Sequence, residues 1–395
     1  MYQQEIDEQA KTVRLWVRRK AGTRKLICSG CGKHVGGIHE VLEREVRDLP
    51  WCLYKATVVV ELCRVRCPDC GPKIERVTQL PGKSPFSKRF EDAVGEACEI
   101  ASARQVARRM QMAEATVRAI DRRYLERWAA GRKKPALKQM GVDELYLGKS
   151  DKFITVVSNL ESGEPLWFGY ERKRETLDEF FRSQLSRGQR SRIEAACVDM
   201  HVPFKKSIQE WAPQCAIVYD KFHVMQHANK AVDEVRRSEF FRHGGWRRKL
   251  VKGKRWLLLS RWSNLSKAKQ SNLKELLRLN RRLGKAYLMK ESLDQLWKQR
   301  NAEEAGKYLD DWVRQLRWQR LPSMEKLAHL LVDHRDGILN SYKVNVRFGV
   351  VEALNGNIRI LLRRGRGYKN LRYLLLKAQR MVATKTEFVA FSVAA

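Results

Sequence analysis

Three acids and four thiols carry most of the chemistry this chain has to offer. Asp143 stands in Gln-Met-Gly-Val-Asp-Glu, Asp199 closes Ile-Glu-Ala-Ala-Cys-Val-Asp, and Glu352 lies in Val-Val-Glu-Ala-Leu-Asn-Gly-Asn. Carboxylate oxygens are hard donors that suit Mg2+ or Mn2+. Two such ions, roughly 3.5–4 Å apart, can serve an in-line phosphoryl transfer. The thiols come as two pairs, Cys28-Ser-Gly-Cys31 and Cys67-Pro-Asp-Cys70. Four thiolates in paired knuckles are the ligand set of structural Zn2+. Gly30 and Gly71 fall where each knuckle must bend. Cys52 and Cys63 lack paired spacing and read as core residues, and His34 and His39 rank below the cysteines as ligands.

Each acid also has a plainer reading, because aspartates at strand ends often cap turns. Asp220 closes an apolar run too, and spacing alone does not separate it from Asp199. Glu144 alternates away from Asp143 along a strand and is set aside. His223 either steadies a site or is a satisfied core histidine. Glu352 has fewer rivals, and Asn355 and Arg359 share its helical face.

Those residues need elements to hold them. Residues 11–27 are partly alternating and allow a strand. Val41–Leu49 and Ala56–Arg66 read as two strands inserted between the knuckles. A breaker cluster at 81–85 ends this region. Phe90, Val94, Ala97 and Ala101 then mark a helix, Arg104–Met110 a short second one, and Val117, Ile120, Tyr124 and Trp128 a third. That order is a helix-turn-helix pattern, with Arg118, Arg122, Arg123 and Arg127 on the outer faces of the last helix. Met140–Leu147, Phe153–Leu160 and Pro165–Tyr170 are strands. A helix, a strand at 193–198, a helix at 204–211 and a strand at 216–219 follow. The order β-β-β-α-β-α-β implies a mixed sheet carrying helices. It lets the ends bearing Asp143 and Asp199 lie side by side.

Residues 230–341 are helical and charged and hold six of the eleven tryptophans, read mainly as core. Val351, Leu354, Ile358 and Leu361 form the apolar stripe of a late helix that can aim Glu352 at the sheet. Beyond it, Arg363, Arg364, Arg366, Lys369 and Arg372 stand in an acid-free segment suited to a phosphodiester backbone.

A chain of 395 residues, 43% hydrophobic, can build several cores and is not broadly disordered. Its formal net charge of +34 far exceeds the few units that solubility asks for and points to a polyanion. No apolar run nears the roughly 18 residues of a membrane span, and the start lacks a secretory pattern. A cytoplasmic chain with reduced cysteines and no membrane contact is therefore expected.

Taken together, the paired knuckles, Gly-Val-Asp143-Glu144, Val-Asp199-Met, Tyr-Asp220-Lys-Phe-His223-Val, Val-Glu352-Ala-Leu-Asn355-Gly-Asn and Gly365-Arg-Gly-Tyr-Lys-Asn370 resemble the DDE transposases of bacterial insertion sequences, ISL-three type. Ala353 stands where that family more often has glycine. The resemblance implies a ribonuclease-H-like catalytic core behind a zinc ribbon and a helix-turn-helix domain. It implies DNA as partner, both terminal inverted repeats and target, with strand cleavage and 3′-hydroxyl strand transfer. It favours Asp199 over Asp220 as the second metal ligand and leaves Asp220, His223 and Asn355 as supporting candidates. Two ends to be joined suggest a homodimer on DNA. The competing classes are a non-catalytic DNA-binding regulator and a metal-dependent nuclease of the same core. The expected fold is multi-domain α+β and α/β. It comprises a zinc ribbon at 1–80, helix-turn-helix at 81–135, the core's first part at 136–229, an α-helical insertion at 230–345, and the core's second part with the basic tail at 346–395.

Overall fold

The computed structural model describes residues 1–20, 26–133, 135–147, 153–242 and 244–384. The chain divides into two compact units, residues 134–360 and the two flanking segments together.

The first unit opens with β1 (Gln3–Asp7), β2 (Thr12–Val17), β3 (Leu26–Ile27), β4 (His34–Val35), β5 (Ile38–Arg47), β6 (Lys55–Cys67) and β7 (Gly71–Ile74). β1, β2, β6 and β5 form a sheet in that order, β7 pairs with β6, and β3 pairs with β4. The long β5–β6 hairpin is the insertion that the knuckle spacing required, registered from Ile38–Val65 to Arg47–Thr57. Three helices follow: α1 (Lys88–Ile100), α2 (Ala103–Arg109) and α3 (Glu114–Ala130). Ser87 caps α1 by accepting from the Phe90 amide, and Ser102 and Gln105 form a capping box on α2. Phe90, Val94, Cys98, Val106, Val117 and Ile120 share one core.

The ribbon and the helices are not separate bodies as the boundary near residue 80 supposed. The Ser87 amide donates to the Arg47 carbonyl (3.0 Å), and Leu49 and Phe86 pack on the helical core. Arg89 and the Ser87 hydroxyl both donate to the buried Asp48 carboxylate.

The second unit starts with β8 (Gln139–Tyr146), β9 (Phe153–Asn159) and β10 (Pro165–Tyr170). Next come α4 (Arg174–Gln184), α5 (Arg187–Arg190), β11 (Ala195–Val198), α6 (Val202–Trp211) and β12 (Ala216–Tyr219). The sheet order is β10-β9-β8-β11-β12. β9 and β10 run antiparallel, while β11 lies parallel to both β8 and β12. Buried on both faces, the central strands carry the continuous apolar runs seen in the sequence.

The helical segment that follows is α7 (Lys221–Arg242), α8 (Gly245–Val251), α9 (Arg255–Leu259), α10 (Lys267–Leu279), α11 (Arg281–Leu293), α12 (Ala302–Arg317), α13 (Pro322–Asp333) and α14 (Arg335–Leu339). It starts at Lys221, not near residue 230, because Asp220 caps α7 directly after β12. One apolar cluster runs from Met140 and Val198 through Val224 and Ala228 to Trp312 and Leu331, so sheet and helices share a core. Trp312 is buried and Trp262 and Trp297 pack on that core, whereas Trp246, Trp256 and Trp318 are exposed, so only half of these tryptophans read correctly as core.

The last helices are α15 (Gly349–Gly365) and α16 (Leu371–Thr384). The expectation that 346–395 forms one core portion is corrected here. From Leu361 onward the chain groups with the first unit. Tyr373 and Leu376 bury with Leu125 of α3, the Tyr373 hydroxyl donates to buried Asp121, and Lys377 pairs with the same carboxylate at 2.8 Å. A buried ion pair with this much hydrogen bonding fixes where α16 must dock.

Candidate active site and metal centre

The thiols assemble as the sequence predicted. The Sγ atoms of Cys28, Cys31, Cys67 and Cys70 all lie within 4.8 Å of one another. The knuckle amides of Cys31 and Gly30 point at Cys28 and draw its thiol down to about 7. The neighbouring Cys31 thiol pushes Cys70 up to about 12, as crowded thiols do when one of them carries the charge. A Cβ on Gly30 would stand 3.0 Å from the Cys70 Sγ, so the knuckle has no room for a side chain there. Four soft donors in this compact arrangement fit tetrahedral Zn2+. Cys63 sits at the edge of the ribbon's small core, as its unpaired spacing suggested, while Cys52 is exposed on a tight turn with φ +51° and is not core.

The acids are brought together differently. Parallel pairing of β8 with β11 ends at Val142–Val198, so Asp143, inside β8, and Asp199, just past β11, are the next residues on adjacent strands. Glu352 stands in the first turn of α15. That helix approaches β8 closely because residue 141 is glycine: a Cβ there would stand 2.9 Å from the Val351 side chain. The result is a cavity of about 300 Å3 lined by Asp143, Glu144, Asp220, His223, Gln226, Glu352, Asn355 and Arg359, among others.

Asp143 is half-buried; the Glu144 amide donates to one of its oxygens (2.7 Å) and Asn355 Nδ2 to the other. Burial raises its pKa above the usual carboxylate range. Asp199 is pushed to about 6, first by burial, then by the charges of Glu144 and Asp143. Asp199 and Asp220 both accept from the amide two residues on, at 3.1 and 2.9 Å, but Asp220 caps α7 directly, whereas the cap position of α6 is His201. The two rivals therefore differ: Asp220 caps a helix and lines the cavity, whereas Asp199 lies just beyond the lining residues Cys197 and Val198 and senses Asp143 and Glu144 electrostatically.

Sequence reasoning set Glu144 aside, yet it lines the cavity. Beyond Val142 the β11 edge of β8 is open, and the cavity wraps that edge and meets both faces. Arg172 donates to one Glu144 oxygen (3.1 Å), and His201 Nδ1 lies 3.7 Å from the other. Gln226 was also missed; its signal was the three-residue step from His223 along α7.

Of the candidate DNA contacts, Arg123 and Arg127 are engaged internally. Both donate to Glu91, whose side chain is fully buried, and Arg127 also donates to Asp92. Arg118 and Arg122 are exposed, with only one-turn partners, Glu114 and Glu126. Arg364 donates to the Glu99 carbonyl (2.8 Å), while Arg363, Arg366, Lys369 and Arg372 are exposed.

Among the described residues, the cysteines are the one group of three or more potential ligands close enough to share an ion. Asp143, Asp199 and Glu352 stand further apart, as unscreened like charges prefer. Their donor set nevertheless suits a hard divalent ion, and the buried Asn355 Oδ1, on the cavity wall, has no hydrogen-bond partner.

A DDE-type, ISL-three transposase model matches residues 140–378, well over half of the chain. The chain belongs to the ISL-three transposase family. A model for the zinc-finger of the IS204, IS1001, IS1096 and IS1165 transposases matches residues 24–70, which contain all four cysteines. The transposase for insertion sequence element IS1001 of Bordetella parapertussis is 29% identical over 94% of this chain and 92% of its own length. The transposase for IS1557 of Mycobacterium tuberculosis is 26% identical over 90% of this chain and 85% of its own. Among solved structures, the Drosophila P element transposase strand transfer complex aligns with a TM-score of 0.40 at 11% identity, over 78% of this chain and 94% of that one. Among the described residues, no helix is long and apolar enough to cross a membrane.

Proposed function

We propose that this transposase cuts DNA at the ends of an insertion sequence and joins the freed 3′-hydroxyl to target DNA in the cavity at Asp143, Asp199 and Glu352. The observation that carries the reading is the meeting of Asp143, Glu352 and Asn355, from strand and helix more than 200 residues apart, on one cavity wall. Asp143, Asp199 and Glu352 would hold two divalent ions, Mg2+ or Mn2+. When bound, such ions lower the pKa of an attacking water or hydroxyl and stabilise the leaving oxygen. The chain's own groups do the rest. Asn355 holds the Asp143 carboxylate in one orientation. Arg359 and His223 offer donors to phosphate oxygens in the cavity. Glu144, tethered to Arg172, adds the negative charge that keeps Asp199 poised for a cation.

The sheet order, with Asp143 on the central strand β8 and Asp199 just past its neighbour β11, supports a ribonuclease-H-like core. The short turn between α2 and α3 supports a helix-turn-helix. Exposed Arg118 and Arg122, with Arg363, Arg366, Lys369 and Arg372, would contact terminal-repeat phosphates, while Arg123 and Arg127 are better read as scaffold. A homodimer on paired ends, working at the nucleoid, completes the reading.

The test uses labelled DNA bearing the flanking terminal repeats, with Mg2+, with Mn2+ and with neither, comparing the protein with Glu352→Gln. Repeat-specific, metal-dependent nicking and joining, lost in the variant, is expected. Cleavage that ignores the repeats, or joining that survives in Glu352→Gln, would overturn it.

A further inference from the structure

The α7 helix does more than cover the sheet. His223 and Gln226 line the acid cavity. Gln226 also lines a second cavity of about 260 Å3, with Asn229, Lys230, Asp233, Arg237 and Arg255. His223, Gln226, Lys230, Asp233 and Arg237 step by three and four residues, so they share one face of α7. The two cavities follow one another along that face and share Gln226 as a wall.

The second stretch is built for an anion. Asp233 is buried and is approached by three guanidinium groups: Arg236 Nε at 2.7 Å, Arg237 Nε at 3.2 Å and Arg255 Nε at 3.6 Å. Three cations on one carboxylate leave two positive charges over. Each arginine uses only its Nε, so the terminal forks make no hydrogen bond among the described residues. Arg237 and Arg255 side chains are 62% and 50% exposed, which leaves those forks open to solvent. A planar fork anchored through Nε is well placed to take two phosphate oxygens at once. Lys230, exposed and paired with no carboxylate among the described residues, offsets Glu234 at the rim. The Asn229 Oδ1 is shielded from solvent without a partner, an acceptor that sugar or base donors can meet.

We propose that this face of α7 is the track of the DNA strand running on from the phosphate that is cut, with its backbone held by Lys230, Arg237 and Arg255. The proposal rests on the catalytic reading above. It also carries its own length scale. At ~1.5 Å per residue, Lys230 and Arg237 lie ~10 and ~21 Å along the helix from His223. At ~3.4 Å per nucleotide of duplex strand, that is about three and about six nucleotides from the cut.

The experiment uses the full chain and terminal-repeat DNA spanning the cleavage site. Phosphate-ethylation interference and salt-dependent affinity are measured for the protein, for Lys230→Glu and for Arg237→Ala/Arg255→Ala. Lys230→Glu disturbs no packing and covers the case in which the double variant, by stripping Asp233, fails to fold. Interference about three to six nucleotides from the cut is expected in the protein and lost in the variants, with affinity down by about tenfold or more. The double variant should also flatten the log–log salt slope by about 1.8, near 0.9 per phosphate contact. Interference at those phosphates that persists unchanged in Lys230→Glu overturns the proposal. The two readings fail separately. A protein that never cleaves but shows this footprint keeps the track and loses the catalytic site. One that cleaves with a footprint indifferent to these residues loses only the track.

Discussion

The thiol cluster and the acid cavity of this chain are built on opposite plans. The thiol cluster draws two short knuckles together through one hairpin, and its four sulfurs already lie within 4.8 Å of one another. The three acids come one from a strand centre, one from just past a strand end and one from a helix two hundred residues later, and their carboxylates stay apart. Neutral thiols in a tight loop tolerate crowding, whereas buried carboxylates repel and each carries a desolvation cost. The first site is a piece of structure that a metal locks. The second is held in place by the packing of sheet and helix around it.

The contrast is broken most severely at the cysteines. Cys67→Ser, or removal of zinc by chelation, should unfold the ribbon, because metal binding of roughly 10–16 kcal/mol is folding energy in small zinc modules. Metal content and limited proteolysis of residues 26–75 read it out, and a ribbon that stays protease-resistant without zinc contradicts the plan. Asp143→Asn belongs to the other plan. Turnover should fall about 10³-fold or more while the melting temperature does not drop, since it removes a ligand and a buried charge together. A clear loss of stability would make Asp143 a structural acid.

A pH series sharpens the difference further. Asp199 has a folded pKa near 6, above its unfolded value near 3.9, so the folded state binds the proton first. Its contribution to the stability of the metal-free protein therefore improves as pH falls from above 6 toward 4, by roughly 2 kcal/mol. Melting curves of the protein and Asp199→Asn from pH 7.5 to 5 should converge as pH falls, and parallel curves would refute the shift. The smallest effect is expected at Asn355→Ala. Losing one hydrogen bond costs about 1 kcal/mol, seen as a roughly fivefold weaker apparent metal activation of cleavage.

Much of this was legible because the signals were local. Alternation and apolar runs placed β8 to β12 within a residue or two, and Cys-x-x-Cys spacing alone picked out the four thiols that cluster. Asp143 and Asp199 could be paired because strand order puts their strands side by side. What stayed hidden was long-range. Arg123 and Arg127 looked like a DNA-facing row, but their partner Glu91 sits on another helix. Glu144 obeyed strand alternation, yet an open strand edge let the cavity reach it. Nothing in the basic run after Glu352 said that Tyr373 and Lys377 would return to Asp121, 250 residues upstream.

That return gives the first unit an unusual order of manufacture. Its ribbon and three helices leave the ribosome first, but the surface around Asp121 and Leu125 has no cover until α16 has been made, after the whole of the second unit. A transcript cut short, or translation stopped before residue 371, therefore yields a chain whose first unit cannot close, whatever the state of its acids.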